Sequence, residues 1–534
     1  MRKIITLIIT ILSVGQLYAQ KQKTLTSGGP LKPEQAIMDI RHYTIALNVD
    51  PAQKSIDGYT TVDMVMSQPT HVILLDLLDS FKISKLLVNN KPQPFEYKNN
   101  MITITMANEL PAGKASVQVF YGGKPHVARR PPWDDGFSWK TDSLGHPIVE
   151  ITAEAAGGKL YFPCKDSPSD EPNEGVDLLI TVPKDLVVAG PGLMINKTTK
   201  GDKATFHWKT SYTINNYSIV FNVADYVVVT RTYTSITGRK VPMVFYVWSY
   251  HKDKAPYHLE LLEKFAHEQE KYLGEYPWAK EKIGIVETMH RGMEHETMNA
   301  YGAQFKYTKV GGQDYDDLMH HEFSHEWWGN KVTAKDWADY WIHEGIGTYA
   351  DALYIKEVAG EDAYIKHFQQ TAPGFGNKIP VVLGKDLDEE AAYNNDIYGK
   401  GAFFMHTLRY VFGDDSLFFH TLKGFVTSPK YTYDNMVTTA DVEQYFSQQS
   451  GKDLKPLFDL YIYSVNKLEV HVKQQRNNGY LIQLQNMSIP LPMDITTDAG
   501  TKRMMIDSKG LLVTSKTLPV IDANTYYLKK ITIE

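Results

Sequence analysis

The pentad His321-Glu322-Phe323-Ser324-His325 restricts this chain more tightly than any other stretch of it. It lies within a helical pattern running from Asp314 to Gly329. Residues four apart on a helix share one face, about one turn apart. His321 and His325 can therefore both turn their imidazoles to a single metal ion. Glu322, one position round, can reach a water on that metal without ligating it. Two histidine ligands with a neighbouring carboxylate base are the pattern of zinc-dependent hydrolysis. The competing reading is a surface helix that happens to carry two histidines. His320 is out of register with the pair and reads as an ordinary helix residue.

A catalytic zinc usually takes three protein ligands and keeps one open position. Gly329-Asn330 is a stop signal for the first helix, and a second helical pattern begins near Ala338. It carries Glu344, with eighteen residues between His325 and Glu344, in a Trp-x-x-Glu-Gly context. This spacing, with the flanking Trp-Trp-Gly-Asn and Val332-Thr333, resembles the signature of the M1 (gluzincin) zinc metalloaminopeptidases. The resemblance implies one zinc per chain, held by His321, His325 and Glu344. His343 reads as a supporting residue rather than a ligand.

At 534 residues the chain is long enough for roughly two to four domains. Its first nineteen residues have a basic start (Arg2, Lys3), an apolar run and a small residue, Ala19, at a cut site. That is a secretory signal peptide, with an apolar run too short to span a membrane. The expected protein is exported, periplasmic or secreted, and no Cys follows the cut to take a lipid anchor. Formal charge is −6, and becomes −8 once Arg2 and Lys3 leave with the signal. That argues against nucleic acid or an anionic membrane as the main partner. No other stretch reads as a membrane span. Cys164 is the single cysteine, so no intramolecular disulfide is possible. It reads as a packed thiol.

The expected architecture is multidomain α+β. Residues 20–37 are polar, contain Gly-Gly-Pro and read as a flexible leader. Residues 38–238 alternate in strand fashion and read as an antiparallel β domain, which resembles the saddle-like N-terminal domain of the M1 family. Arg129–Phe137 reads as a loop, solvated by default, with the cleft rim as the alternative. Residues 239–465 turn helical and resemble a thermolysin-like catalytic domain. Residues 466–534 return to alternation and read as a small β-sandwich. By this reading the protein is a short bacterial-type form lacking the helical C-terminal domain of many M1 enzymes.

An exopeptidase must also recognise a free amine, and carboxylates beside the metal do this by charge-assisted hydrogen bonds. Arg291-Gly292-Met293-Glu294-His295 resembles the family's G-x-M-E-N motif, which implies Glu294 as amine anchor and Gly292 and Met293 as backbone contacts. Arg291 and His295 depart from that motif. Glu154-Ala155, ahead of Pro163-Cys164-Lys165-Asp166, resembles the family's second amine-binding block, although Thr152 stands where Gln is usual. Tyr398-Gly-Lys-Gly-Ala402 resembles a segment whose tyrosine hydroxyl stabilises the oxyanion. Tyr340 and Tyr349 read as packing residues. The resemblance thus implies hydrolysis of the N-terminal peptide bond of peptides, by a zinc-activated water with Glu322 as general base. Three alternatives stand: a thermolysin-like endopeptidase, an epoxide hydrolase on the same zinc site, and an inactive zinc- or peptide-binding envelope protein.

Overall fold

The computed structural model describes residues 25–534. The expected signal peptide, and residues 20–24 of the expected leader, lie outside the described residues. The architecture is multidomain: an N-terminal β region, a helical region carrying the pentad, and two small C-terminal sheets.

The N-terminal alternation builds an eight-stranded sheet, with sheets of four and three strands beside it. Strand Met38–Asp50 buries Tyr43, Ile45, Leu47 and Val49 on one face, as period two requires. It forms a hairpin with Ser55–Met66. On its other side it pairs with Val176–Pro183 in parallel, Tyr43 opposite Val176 and Asn48 opposite Thr181. Every other pair in this sheet is antiparallel, as expected, so this pair is the exception. Parallel pairing needs a long crossover, and the chain between Gly123 and Val176 supplies it. That crossover contains Gly136–Thr141, Pro147–Thr152 and the Glu154 turn.

Two expected boundaries also shift. The division at 238/239 falls in the turn joining Tyr226–Thr234 to Lys240–Trp248, two strands paired along their length. Both belong to a five-stranded sheet that continues through Ile283–Glu287 and Asn299–Tyr301 to Gly292–Met293 at its edge. The leader, in turn, is not free from residue 25 onward. Ser27 and Gln35 are buried. The Gly29 N–H donates to the Leu387 carbonyl at 3.0 Å, and the Glu389 N–H donates to the Ser27 carbonyl at 3.1 Å. Residues 25–29 form a strap across the helical region, because its backbone groups find partners there instead of water.

At the C-terminus one sheet carries Leu468–Gln474 and Gly479–Leu484, the other Leu491–Thr497 and Gly500–Ile506. Val470, Ile482, Met493 and Ile495 join the common core. Among the described residues no helix is long and apolar enough to cross a membrane.

Candidate active site

The pentad occupies a helix, Asp317–Ser324, shorter than the pattern predicts. Asp316 caps it, its side chain accepting the Met319 N–H at 3.1 Å. His325 is the last residue in helical conformation. The chain then turns back on itself: the Asn330 N–H donates to the His325 carbonyl, and the Gly329 N–H to that of Val332. The second helix, Trp341–Ala359, puts Glu344 in its first turn.

This arrangement brings three ligand atoms together. His321 Nε2 and His325 Nε2 lie 3.3 Å apart, and each lies 3.5 Å from Glu344 Oε2. Ligands about 2.0–2.1 Å from a tetrahedral zinc are separated by about 3.3–3.4 Å. The Glu344 Oε2 atom is buried and has no hydrogen-bond donor, so the triangle fits a metal cation and lacks anything else to satisfy it. The other imidazole nitrogens are spoken for. His321 Nδ1 donates to Asp351 Oδ2 (3.0 Å), and His325 Nδ1 donates to the Trp328 carbonyl (2.8 Å). Such partners fix the tautomer that leaves Nε2 free to ligate. Burial opposes charge on these imidazoles, yet Asp351 and Glu344 hold His321 well above its ordinary pKa, and Glu344 lifts His325 to about 9. The pair sits where a cation is favoured.

His320 is not the ordinary helix residue expected. It is fully buried, with Nδ1 2.6 Å from Asp351 Oδ1 and Nε2 3.2 Å from Glu268 Oε2. Burial alone would depress it, but the two carboxylates raise it to about 9. A carboxylate–imidazolium–carboxylate chain thus runs from helix Ala255–Leu273 to the first ligand. His343 accepts the Ala334 N–H at 2.8 Å and stays out of the triangle.

Glu322 opens onto a cavity of about 900 Å³, which also takes in Glu154, Gly292, Met293, Glu294 and Tyr398. Burial pushes Glu322 up to about 8 against the pull of His321. Gly292 leaves it room: a Cβ there would lie 2.6 Å from Glu322 Oε1. Glu154 and Glu294 each bring a carboxylate oxygen within 4.8 Å of one on Glu344. Glu154 Oε1 is buried without a partner. Burial first, then Glu294 and Glu344, push its pKa well above the carboxylate range.

Tyr398 reaches the site because two helices touch at glycine. On Trp341–Ala359, a Cβ on Gly345 would stand 2.7 Å from the Ile397 carbonyl oxygen and 2.9 Å from Gly401 Cα on helix Asp396–Phe412. That contact sets the Tyr398 ring 6.3 Å from the His321 ring. Thr152 stays away, buried and donating to the Gly136 carbonyl at 3.3 Å. Arg291 lines the cavity with its side chain largely exposed, 3.9 Å from Asp317. Cys164 is fully buried, and burial raises its thiol well above the ordinary value.

Several residues that hold this geometry were missed in the sequence. Asp351 lies seven positions after Glu344, two turns along the same face, so helical period could have found it. Glu326, fully buried, accepts Trp278 Nε1 (2.7 Å), the Thr297 N–H (3.1 Å) and Asn299 Nδ2 (3.3 Å). Asn330 Nδ2 donates to the Glu294 carbonyl at 2.9 Å. The turn after the pentad therefore fixes the segment carrying Glu294. His295 Nε2 donates to the Ala153 carbonyl at 3.1 Å, tying that segment to the Glu154 turn. Asp135 accepts the N–H groups of Glu154 and Ala156 at 2.8 and 2.6 Å.

Comparison with known proteins places residues 257–461 in a match to the peptidase family M1 domain. The chain is 22% identical over 481 residues to aminopeptidase M1-B of Oryza sativa subsp. japonica, covering 84% of this chain and 52% of that protein. It is 22% identical over 418 residues to leukotriene A-4 hydrolase of Xenopus laevis, covering 73% and 65% respectively. The chain thus spans about half to two thirds of the length of these relatives. Among solved structures, the M1 zinc metallopeptidase of Deinococcus radiodurans superposes with a TM-score of 0.66 at 21% identity, over 82% of this chain and 96% of that one. A variant of the same enzyme, bound to a Tyr-Ser-Ala substrate, gives 0.66 at 20% identity, over 80% and 95%. These likenesses carry the fold.

Proposed function

Residues 257–461 are a peptidase family M1 domain, and on that premise we propose that the protein is a zinc-dependent aminopeptidase that removes N-terminal residues from peptides. One observation carries the reading. A metal triangle with edges of 3.3–3.5 Å and two further carboxylates, Glu154 and Glu294, converge on one cavity. The names of the rice relative and the peptide on the Deinococcus variant support the same substrate class.

His321, His325 and Glu344 would hold the zinc, one per chain. The chemistry supplied by bound zinc is acidification of a water and polarisation of the scissile carbonyl. Glu322 would serve as the base that takes a proton from the attacking water and returns it to the leaving amine. Tyr398 donates its hydroxyl proton in a hydrogen bond to the developing oxyanion. Glu294 and Glu154 bind the α-ammonium and fix which bond is cut. Gly292–Met293, at the edge of its sheet, offers free backbone groups to a substrate laid down as an added strand. Export, with cleavage after Ala19, belongs to the same proposal. It is supported by the basic and apolar segments of residues 1–19 and tested by N-terminal sequencing of the protein recovered from the cell envelope and medium.

The test is hydrolysis of an aminoacyl-p-nitroanilide panel by protein lacking residues 1–19, with and without chelator. Expected is chelator-sensitive release that Glu294→Ala depresses and N-acetylation of the substrate abolishes. Cleavage of acetylated substrates or internal bonds would make the protein an endopeptidase. No turnover with zinc bound would leave a binding protein.

A further inference from the structure

Beyond Glu154 and Glu294 the cavity carries acid that neither the metal nor the amine requires. Glu389 lines it, on the short helix Glu389–Ala392. Its carboxylate is mostly buried, and no hydrogen bond or ion pair to it is found among the described residues. The charges that act on it, from Asp135, Asp388 and Glu390, are all negative. Asp135 lines the same wall, and Asp135 and Glu389 are both close enough to act on Glu154. Arg130 and Arg291 also line the cavity, but both are exposed, neither forms an ion pair with Glu389 among the described residues, and Arg291 leans toward Asp317.

The cavity also offers apolar and aromatic surface. Leu25, Pro132, Trp133 and Tyr393 line it with Glu389. Trp133 is 67% exposed, so its face is free to be covered. Tyr393 packs edge-on against Tyr398 at 6.2 Å. The strap holds the short helix in place through the Glu389 N–H to Ser27 carbonyl bond. The wall therefore combines surface for a long aliphatic stem with a carboxylate for a cationic tip.

Resting on the aminopeptidase reading above, we infer that Glu389 is a specificity-determining residue that selects substrates beginning with arginine or lysine. An α-ammonium held by Glu154 and Glu294 leaves the first side chain to occupy the wall beside Glu154. A guanidinium or ammonium there meets Glu389, with Asp135 behind it, while its stem lies along Trp133 and Tyr393. A neutral side chain of equal length fills the same space but leaves the carboxylate desolvated and unpaired.

The decisive comparison is arginyl against citrullinyl p-nitroanilide, which are nearly isosteric and differ in charge. The zinc-loaded protein is expected to favour arginine about ten- to hundredfold in kcat/KM. In Glu389→Gln the ratio is expected to collapse to about one. A side chain that merely supported the wall would instead lower both substrates together and keep the ratio. Calorimetric binding of free L-arginine and L-citrulline to the same two proteins gives a readout independent of turnover, and the same loss of preference is expected. A wild-type ratio near one, or a ratio that survives Glu389→Gln, would overturn the inference and leave the aminopeptidase reading intact. No release from any free-amine substrate would overturn both.

Discussion

Two carboxylates within 4.8 Å of each other, Glu344 and Glu154, have opposite electrostatic fates. Burial acts on both to favour the neutral form. At Glu344 the imidazoles of His325 and His321 overcome it and hold the group well below the carboxylate range. At Glu154 the nearest charges are Glu294 and Glu344 themselves, and the group is driven up instead. The metal half of the cavity is completed from within: both histidine ligands have an orienting partner, and Asp351 has its own in His320. The amine half is left incomplete, with acids from three separated segments, and among the described residues no cation forms an ion pair with Glu154, Glu294 or Glu389. The comparison teaches that one half is built to keep its geometry with or without substrate. The other is built to be neutralised by what binds.

The largest effect that would break this division comes from Glu322, which faces both halves. Glu322→Gln is expected to lower kcat about 10²- to 10⁴-fold while zinc content, measured by atomic emission, stays at the wild-type level. Loss of the metal in this variant would mean that the triangle is not self-sufficient. Next comes Asp351→Ala. Removing the acceptor of His321 Nδ1 and His320 Nδ1 is expected to weaken zinc binding about 10- to 100-fold, read by competition with a chromogenic chelator. If Asp351→Ala changed amine binding more than zinc affinity, the two halves would not be separate in the sense drawn here.

How much of this was legible in the sequence follows from how local each feature is. The two histidines and Glu322 are one helical turn, and Glu344 sits in the next helix, so spacing and resemblance reach all four. Asp351 is equally local, two helical turns after Glu344 on the same face. The amine half is different in kind. Glu154 and Glu294 are joined by a hydrogen bond from His295 to the Ala153 carbonyl, and no periodicity records a contact across 142 positions. The strap at residues 25–29, the parallel partner of Met38–Asp50 and the wall residue Glu389 are likewise products of tertiary pairing. The helical span of the pentad was overestimated for a related reason. After the pentad the His325 and Trp327 carbonyls accept the Asn330 and Val332 N–H groups, and the Gly329 N–H donates to the Val332 carbonyl, so the chain turns back instead of continuing the helix.

Gly345 gives a smaller test, because its contacts with helix Asp396–Phe412 set Tyr398. Gly345→Ala places a methyl 2.7 Å from the Ile397 carbonyl oxygen and 2.9 Å from Gly401 Cα, both backbone. The helices must separate, at an expected cost of about 1–3 kcal/mol in denaturant unfolding. If Tyr398 acts on the oxyanion, kcat falls further than KM rises, since the ground-state contacts of the ammonium are untouched. A rise in KM alone would place Tyr398 among the binding groups.

The smallest expected effect asks whether acid excess extends behind the amine half. Glu171 is 1% exposed and lines a small cavity with Glu154. Burial pushes it up to about 8, only partly offset by the Thr213 hydroxyl donating to Oε2 at 2.9 Å. In the unfolded chain the group titrates near the ordinary value of about 4.3. Between those two values the folded protein holds a proton that the unfolded chain has lost, so stability must fall as pH rises. The contribution is complete below the unfolded pKa, declines through the window and is lost once pH passes the folded value. Glu171→Gln keeps an acceptor for Thr213 and removes the titration. Its unfolding free energy is expected to decline less steeply than wild type between pH 5 and 8, by up to about 1.4 kcal/mol per pH unit. The two profiles should run parallel below pH 4. The other raised acids remain in both proteins, so the difference isolates this one group. Equal slopes across the window would mean that Glu171 is charged in the fold, and that the unneutralised acid is confined to the cavity the substrate enters.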